Sequence, residues 1–201
     1  MYNTGMISTA VQAGGRSSRM GEDKALLDLA GKPLYRHVME RLDGLGDEMF
    51  LTSNNSELLE LDDVRVVPDA DPGAGALNGL LTALVAARGS HVLAAACDMP
   101  FVSRELFAYM LKRMDCYDVV VPCPGGCYEP LHAVYARTAV PAVQAALSDG
   151  RKRMVSFFKE VRVLLIGDAV LKRFDPDGMV FFNINTPEDL ITAERYLGEK
   201  R

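Results

Sequence analysis

No apolar run in the 201 residues approaches the length that a membrane span needs, and the N-terminal stretch lacks the basic start and long apolar segment that mark export. A cytoplasmic protein is the expectation. Cysteine is scarce: Cys97, Cys116, Cys123 and Cys127 do not make a disulfide framework at this size, and Cys123-Pro-Gly-Gly-Cys127 lacks a second Cys or His pair at zinc spacing. Cys97, inside an apolar run, reads as a small buried hydrophobe. Histidine is scarcer still, and His37, His91 and His132 are too scattered for any to be assigned general-base work. Positive charge is also in deficit. A net charge of -5 argues against a general electrostatic grip on nucleic acid. What remains is ordinary for a globular protein: 49% hydrophobic residues, 24% charged residues and a length that suits one domain.

Against that acidic background one cationic stretch stands out. Residues 11–24, VQAGGRSSRMGEDK, place Gly14 and Gly15 directly behind an apolar run and bring Arg16, Arg19 and Lys24 to the same loop. Glycines let backbone N–H groups approach anionic oxygens, and the fixed charges add to the attraction, so the loop suits a triphosphate. Taken by composition alone it also fits a solvated, flexible loop. It is not a Walker A loop, because Gly21 is followed by Glu22 and Asp23 rather than by Lys and a hydroxyl residue. Nor is there a dinucleotide fingerprint, since Gly73-Ala-Gly75-Ala-Leu-Asn-Gly79 has one residue too many before its last glycine.

Strand-length apolar runs alternate with helical patterns. Strands are expected at 6–12, 49–53, 64–68, 91–97 and 119–122, with helices at 33–45, 76–88 and 104–114. Further on, 131–135, 161–166 and 180–182 read as strands, and 139–147 and 155–160 as helices. The last helix begins at Thr186-Pro187, where a Thr cap, Pro at the first helical position and acidic residues in the first turn coincide. The alternation predicts an α/β fold of three layers, a mostly parallel Rossmann-like sheet with helices on both faces. Arg151-Lys152-Arg153 reads as a solvated helix entry that could still help with an anionic substrate.

Ligands of such sheets bind beyond the carboxyl ends of the strands. That rule singles out the 14–24 loop after the first strand, residues 69–75 after the third and Asp98 after the fourth. Asp98 then suits Mg2+, which is usually held by one or two carboxylates together with substrate phosphates. A cap for the following helix is the bland alternative, although Ser103 is better placed for that.

The segments GGRSSRMGEDKALLDLAGKPL, PDADPGAGALNGLLTAL, AACDMPFV, EPLHAVY and FFNINTPEDL together resemble the successive motifs of the molybdenum cofactor guanylyltransferases, also called molybdopterin-guanine dinucleotide biosynthesis protein A. The resemblance runs from residue 11 to about 197 and implies one nucleotidyltransferase domain over 1–201, with 6–122 on the nucleotide side and 123–198 on the acceptor side. It implies transfer of GMP from GTP to molybdenum-molybdopterin with release of pyrophosphate. Carried over by residue, it gives Gln12, Ala13, Gly14, Gly15, Lys24, Asn54, Asp69 and Asp98 to nucleotide binding and Asp98 to Mg2+. Arg19, Lys24 and Asp98 become catalytic, while Asn183, Asn185 and His132 fall on the acceptor side. Gln12 and Asn78 depart from the family, standing where Leu and a small residue are frequent. The pair Gly14-Gly15 favours GTP over CTP, because related cytidylyltransferases carry Ala before a single Gly. Transient contacts with cofactor-assembly proteins and apo-molybdoenzymes are implied by resemblance alone. The alternatives are a cytidylyltransferase for the same pterin, a nucleotidyltransferase for another small phosphate, and a nucleotide-binding regulator without activity.

Overall fold

The computed structural model describes residues 5–13, 23–59, 61, 63–69, 71 and 75–200, with the side chains of Ser56 and Leu59 outside that description. In chain order its strands are β1 (Ile7–Gln12), β2 (Asp28–Leu29), β3 (Lys32–Pro33), β4 (Glu48–Thr52), β5 (Arg65–Val67), β6 (His91–Ala96), β7 (Val119–Pro122), β8 (His132–Ala136) and β9 (Val163–Ile166). The helices are α1 (Leu34–Leu42), α2 (Ser56–Leu59), α3 (Ala76–Ala86), α4 (Arg104–Leu111), α5 (Val140–Ser148), α6 (Asp168–Leu171) and α7 (Pro187–Glu199).

Seven strands form one sheet in the order β5-β4-β1-β6-β8-β7-β9. Only β8 runs against its neighbours, antiparallel to both β6 and β7. The chain lays β4 and then β5 on one side of β1 and crosses to the other side for β6, so strand order reverses between β1 and β6. By the rule of this fold class such a reversal marks a crevice at the strands' carboxyl ends.

Side chains alternate across a strand, and here the alternation sorts the core into two layers. Val11, Leu51, Leu93, Ala95, Val120 and Val134 pack toward Val38 and Leu42 of α1 and Phe107 and Met110 of α4. Their neighbours Ala10, Phe50, Val92, Ala94, Val121 and Ala133 pack toward Leu80 and Leu84 of α3 and Val143 of α5. Both faces of the sheet are therefore covered, which is why β1 and β6 have no polar alternation to show. A third cluster joins Leu27, Leu29 and Leu34 to Phe101, Ile184 and Ala193, so the segment after Lys24 is pinned to the C-terminal helix. Each fully buried side chain of this size stabilises the fold by about 1.5 to 3 kcal/mol.

Two expected elements are corrected. Residues 155–160 do not form an α-helix; a 3-10 turn covers Phe158–Glu160. The Arg151 guanidinium occupies the carbonyl of Ser156 at 2.6 Å, the group a helix would offer to the N–H of Glu160, and that N–H turns to Phe157 instead. Residues 180–182 form a turn rather than a strand. Phe181 lies edge-on against His132 and Phe182 packs tilted against Phe101, so these side chains are spent on packing, while β9 holds the edge beside β7. The β2-β3 hairpin was not anticipated. It turns through Ala30 at φ 55° and Gly31 at φ 87°, the left-handed pair of a type I′ turn. Among the described residues no helix is long and apolar enough to cross a membrane.

Candidate active site

Lys24 follows directly on the capping residue Asp23, and its ammonium nitrogen lies 3.1 Å from Asp98 Oδ2 while also donating to Asn185 Oδ1. Asp98 and Asn185, 74 and 161 positions beyond Lys24, thus share its cation. Asp98 stands just past the end of β6, beside the crevice. Asn185 is delivered by two ties: Ile184 N–H donates to the Asp98 carbonyl at 2.9 Å, and Ile184 itself is fully buried. Behind it the Thr186 hydroxyl accepts from Asp189 N–H, and the Asp189 carboxylate accepts from the N–H groups of Asn185 and Thr186 at 2.9 and 2.8 Å. The capping box that starts α7 therefore also fixes the backbone of Asn185. Those backbone bonds, chiefly the one from Asn185, hold the Asp189 carboxyl below its usual range.

Three bracing residues escaped the sequence reading. Asp23 accepts from Ala25 N–H through Oδ1 and from Asn55 Nδ2 through Oδ2 at 2.7 Å. Ser53 Oγ donates to the Ala13 carbonyl at 3.0 Å and accepts from Asn55 N–H. Together they tie the end of β1, the end of β4 and the turn carrying Lys24 into one unit. The available signal was an Asp immediately before Lys24, a residue type that caps turns; the Asn55 partner lies 32 residues away and no local pattern announces it.

Gln12 and Ala13 close β1 and are buried. Among the described residues Gln12 Nε2 has no hydrogen-bond partner, and neither does the buried Oδ1 of Asp69. Buried polar atoms are almost always paired, so unpaired ones beside a crevice are suited to a ligand. Asn54 is exposed just beyond β4, and its neighbour Asn55 makes the bonds in this region. Gly14, Gly15 and Arg19 lie outside the described residues. Among the described residues the structure thus brings Lys24, Asp98 and Asn185 together and sets Gln12 and Ala13 on the adjoining strand end.

Two acceptor-side candidates do not join this cluster. Asn183 turns its amide back to the Phe181 carbonyl at 3.0 Å. His132 begins β8 and is fully buried, stacked on Phe107 at 4.3 Å, with neither ring nitrogen hydrogen-bonded. Burial pushes its pKa from 6.5 down to about 3. A histidine depressed in this way takes up its proton first in the unfolded chain, so its neutral form is harmless above about pH 6.5 and penalises folding progressively as pH falls toward 3. The loss approaches about 1.4 kcal/mol per pH unit inside that window. Urea unfolding of His132→Phe is expected to lose less stability between pH 6.5 and 4 than the wild type, and parallel losses in the two proteins would contradict this. Arg151 pairs with Asp149 and Glu160, whereas Lys152 and Arg153 are exposed and Lys152 lies beside Gly75 at the start of α3.

The donor set can be tested for a hard divalent cation. Asp98 and Asn185 present two oxygens that already share the Lys24 ammonium as a positive stand-in. Among the described residues no group of three or more His, Cys, Asp or Glu side chains converges on one point. One carboxylate and one amide oxygen fit Mg2+, which keeps several waters and completes its shell with phosphate oxygens; they do not fit a closed protein cage.

A profile of the MobA-like NTP transferase domain matches residues 9–163. Relatives carrying the molybdenum cofactor guanylyltransferase name include one from Pelotomaculum thermopropionicum, 37% identical over 91% of this chain and 89% of its own. Another, from Natranaerobius thermophilus, is 36% identical over 98% of both chains. The crystal structure of molybdopterin-guanine dinucleotide biosynthesis protein A from Archaeoglobus fulgidus superposes with a TM-score of 0.84 at 27% identity, covering 96% of this chain and 99% of that one.

Proposed function

The chain belongs to the MobA-like NTP transferase family, and from that premise we propose that it transfers GMP from GTP to molybdenum-molybdopterin, forming molybdopterin guanine dinucleotide and pyrophosphate. The observation that carries this reading is the convergence of Lys24, Asp98 and Asn185 beside the crevice where strand order reverses. A lysine, a carboxylate and an amide drawn from three distant segments form a site for a metal-bound polyphosphate. A simple nucleotide-binding module has no need of the carboxylate.

The reaction needs no protein nucleophile. An oxygen of the pterin phosphate forms the new bond to the α-phosphorus of GTP, the bond to the bridging β-oxygen breaks, and pyrophosphate leaves with the electron pair. The protein contributes alignment and charge neutralisation. Lys24 exchanges its contacts with Asp98 and Asn185 for the phosphates, where its charge opposes the negative charge building on the leaving group, and Arg19 is assigned the same task. Asp98, with Asn185 beside it, would hold Mg2+, which supplies Lewis-acid polarisation of phosphate oxygens. Gln12, Ala13, Gly14, Gly15, Asn54 and Asp69 are assigned to the nucleotide side within residues 6–122, and Asn183 and Asn185 to the acceptor side within 123–198. The enzyme works in the cytoplasm, passing its product through transient contacts with cofactor-assembly proteins and apo-molybdoenzymes.

A pyrophosphate-release assay with each of the four NTPs, with and without molybdenum-molybdopterin, tests the reading. Release with GTP that depends on the pterin is expected. Release with CTP instead, or with GTP and a different phosphate, would overturn it.

A further inference from the structure

Gln12 is a departure from the family pattern, and its side chain is placed unlike that of a structural residue. It ends β1 on the same face as Ala10, the face covered by α3, whereas Val11 and Ala13 face the layer that includes Ala25 beside Lys24. Gly79 in the first turn of α3 leaves room for it: a Cβ there would meet Gln12 Oε1 at 3.2 Å and Nε2 at 3.3 Å. The carboxamide is therefore clamped between a strand end and a helix start, 7% exposed, with Nε2 unpaired. The nearby Asn78 amide, by contrast, is satisfied by the Asp71 carbonyl at 3.2 Å.

An unpaired N–H donor held rigidly at a nucleotide crevice is unfavourable until an acceptor arrives. Resting on the proposed GTP reaction, we infer that Gln12 Nε2 reads the nucleobase by donating a hydrogen bond to the 6-keto oxygen of guanine. The polyphosphate at Lys24 and the base at Gln12 then lie on opposite faces of the β1 end, with the nucleoside laid across the rim. Adenine presents an amino donor at the same ring position, so two donors would meet there, and specificity arises from the unpaired group that the wrong base leaves behind. At this strand end the side chain thereby discriminates guanine from adenine.

The experiment is a thermodynamic cycle of two proteins and two nucleotides, read by equilibrium binding rather than by turnover. Wild type and Gln12→Leu are each titrated with GTP and with 2-aminopurine riboside triphosphate, which lacks the 6-oxygen. GTP affinity is expected to fall about tenfold or more in the variant, while the 2-aminopurine nucleotide binds both proteins alike. The nucleotide-free variant is expected to melt about 2 to 4 °C higher, because the unpaired amide is gone. A loss of affinity common to both nucleotides, or unchanged GTP affinity, overturns the role of Gln12 and leaves the GTP reaction standing. Wild-type protein that takes up no GTP overturns both.

Discussion

Lys24→Ala is expected to lower GMP transfer by about a hundred- to a thousandfold with the fold intact, the usual loss when one preorganised charge is removed from a developing anion. The fold should survive because Lys24 sits at the surface end of a turn whose own bonds run through Asp23 and Asn55. Its Nζ also leaves Asp98 accessible, since both side chains are about 20% exposed and water can replace the lost partner. The measurement is turnover with saturating GTP alongside thermal unfolding. Full activity would remove the lysine from the mechanism, and a collapse of melting temperature would assign it to the fold instead.

The second large effect falls on Asp98. Asp98→Asn keeps the shape and the carbonyl link to Ile184 but removes the negative charge, so the Mg2+ concentration needed for half-maximal rate should rise about tenfold or more and the maximal rate should fall about a hundredfold or more. An unaltered metal titration would show that another group holds the ion. Because Lys24 and Asp98 touch at 3.1 Å, the double variant should lose less than the sum of the two single losses. Strict additivity would mean that the two groups act on separate steps.

How much of this was legible in the sequence depends on the range over which each signal acts. Strands such as His91–Ala96 announce themselves as continuous apolar runs because both their faces are covered. Helix starts were equally plain, with Ser103 capping α4 and Thr186 capping α7 as their residue types predict. Cys97 is buried as expected, and burial holds its thiol well above the ordinary range. Elements decided by a single distant partner were not legible. The 155–160 segment has a helical pattern, yet one guanidinium diverts its carbonyl; residues 180–182 have strand composition, yet Phe181 and Phe182 pack against His132 and Phe101 instead of pairing with a strand. The two-residue strands β2 and β3 are too short to show a period.

At the site, Lys24 and Asp98 could be paired from the sequence because both follow the ends of central strands, a rule of the fold class rather than of their neighbours. Asn185 entered through resemblance alone, and its grip on Lys24 depends on Ile184, Thr186 and Asp189 acting together. His132 shows the converse. Resemblance sets its motif on the acceptor side, but Phe107 stacks on the ring, Phe181 meets it at a steep angle and the imidazole is packed in the core.

The bond from Lys24 to Asn185 joins positions 161 residues apart, which has a consequence for the order in which the molecule becomes competent. A chain emerging from the ribosome as far as Ile166 already possesses every strand of the main sheet, yet it lacks the amide, the buried Ile184 and the acidic cap that hold the lysine in place. Lys24, Asp98 and Asn185 therefore come together only after residues 184–189 have been made, later than the strands of the sheet.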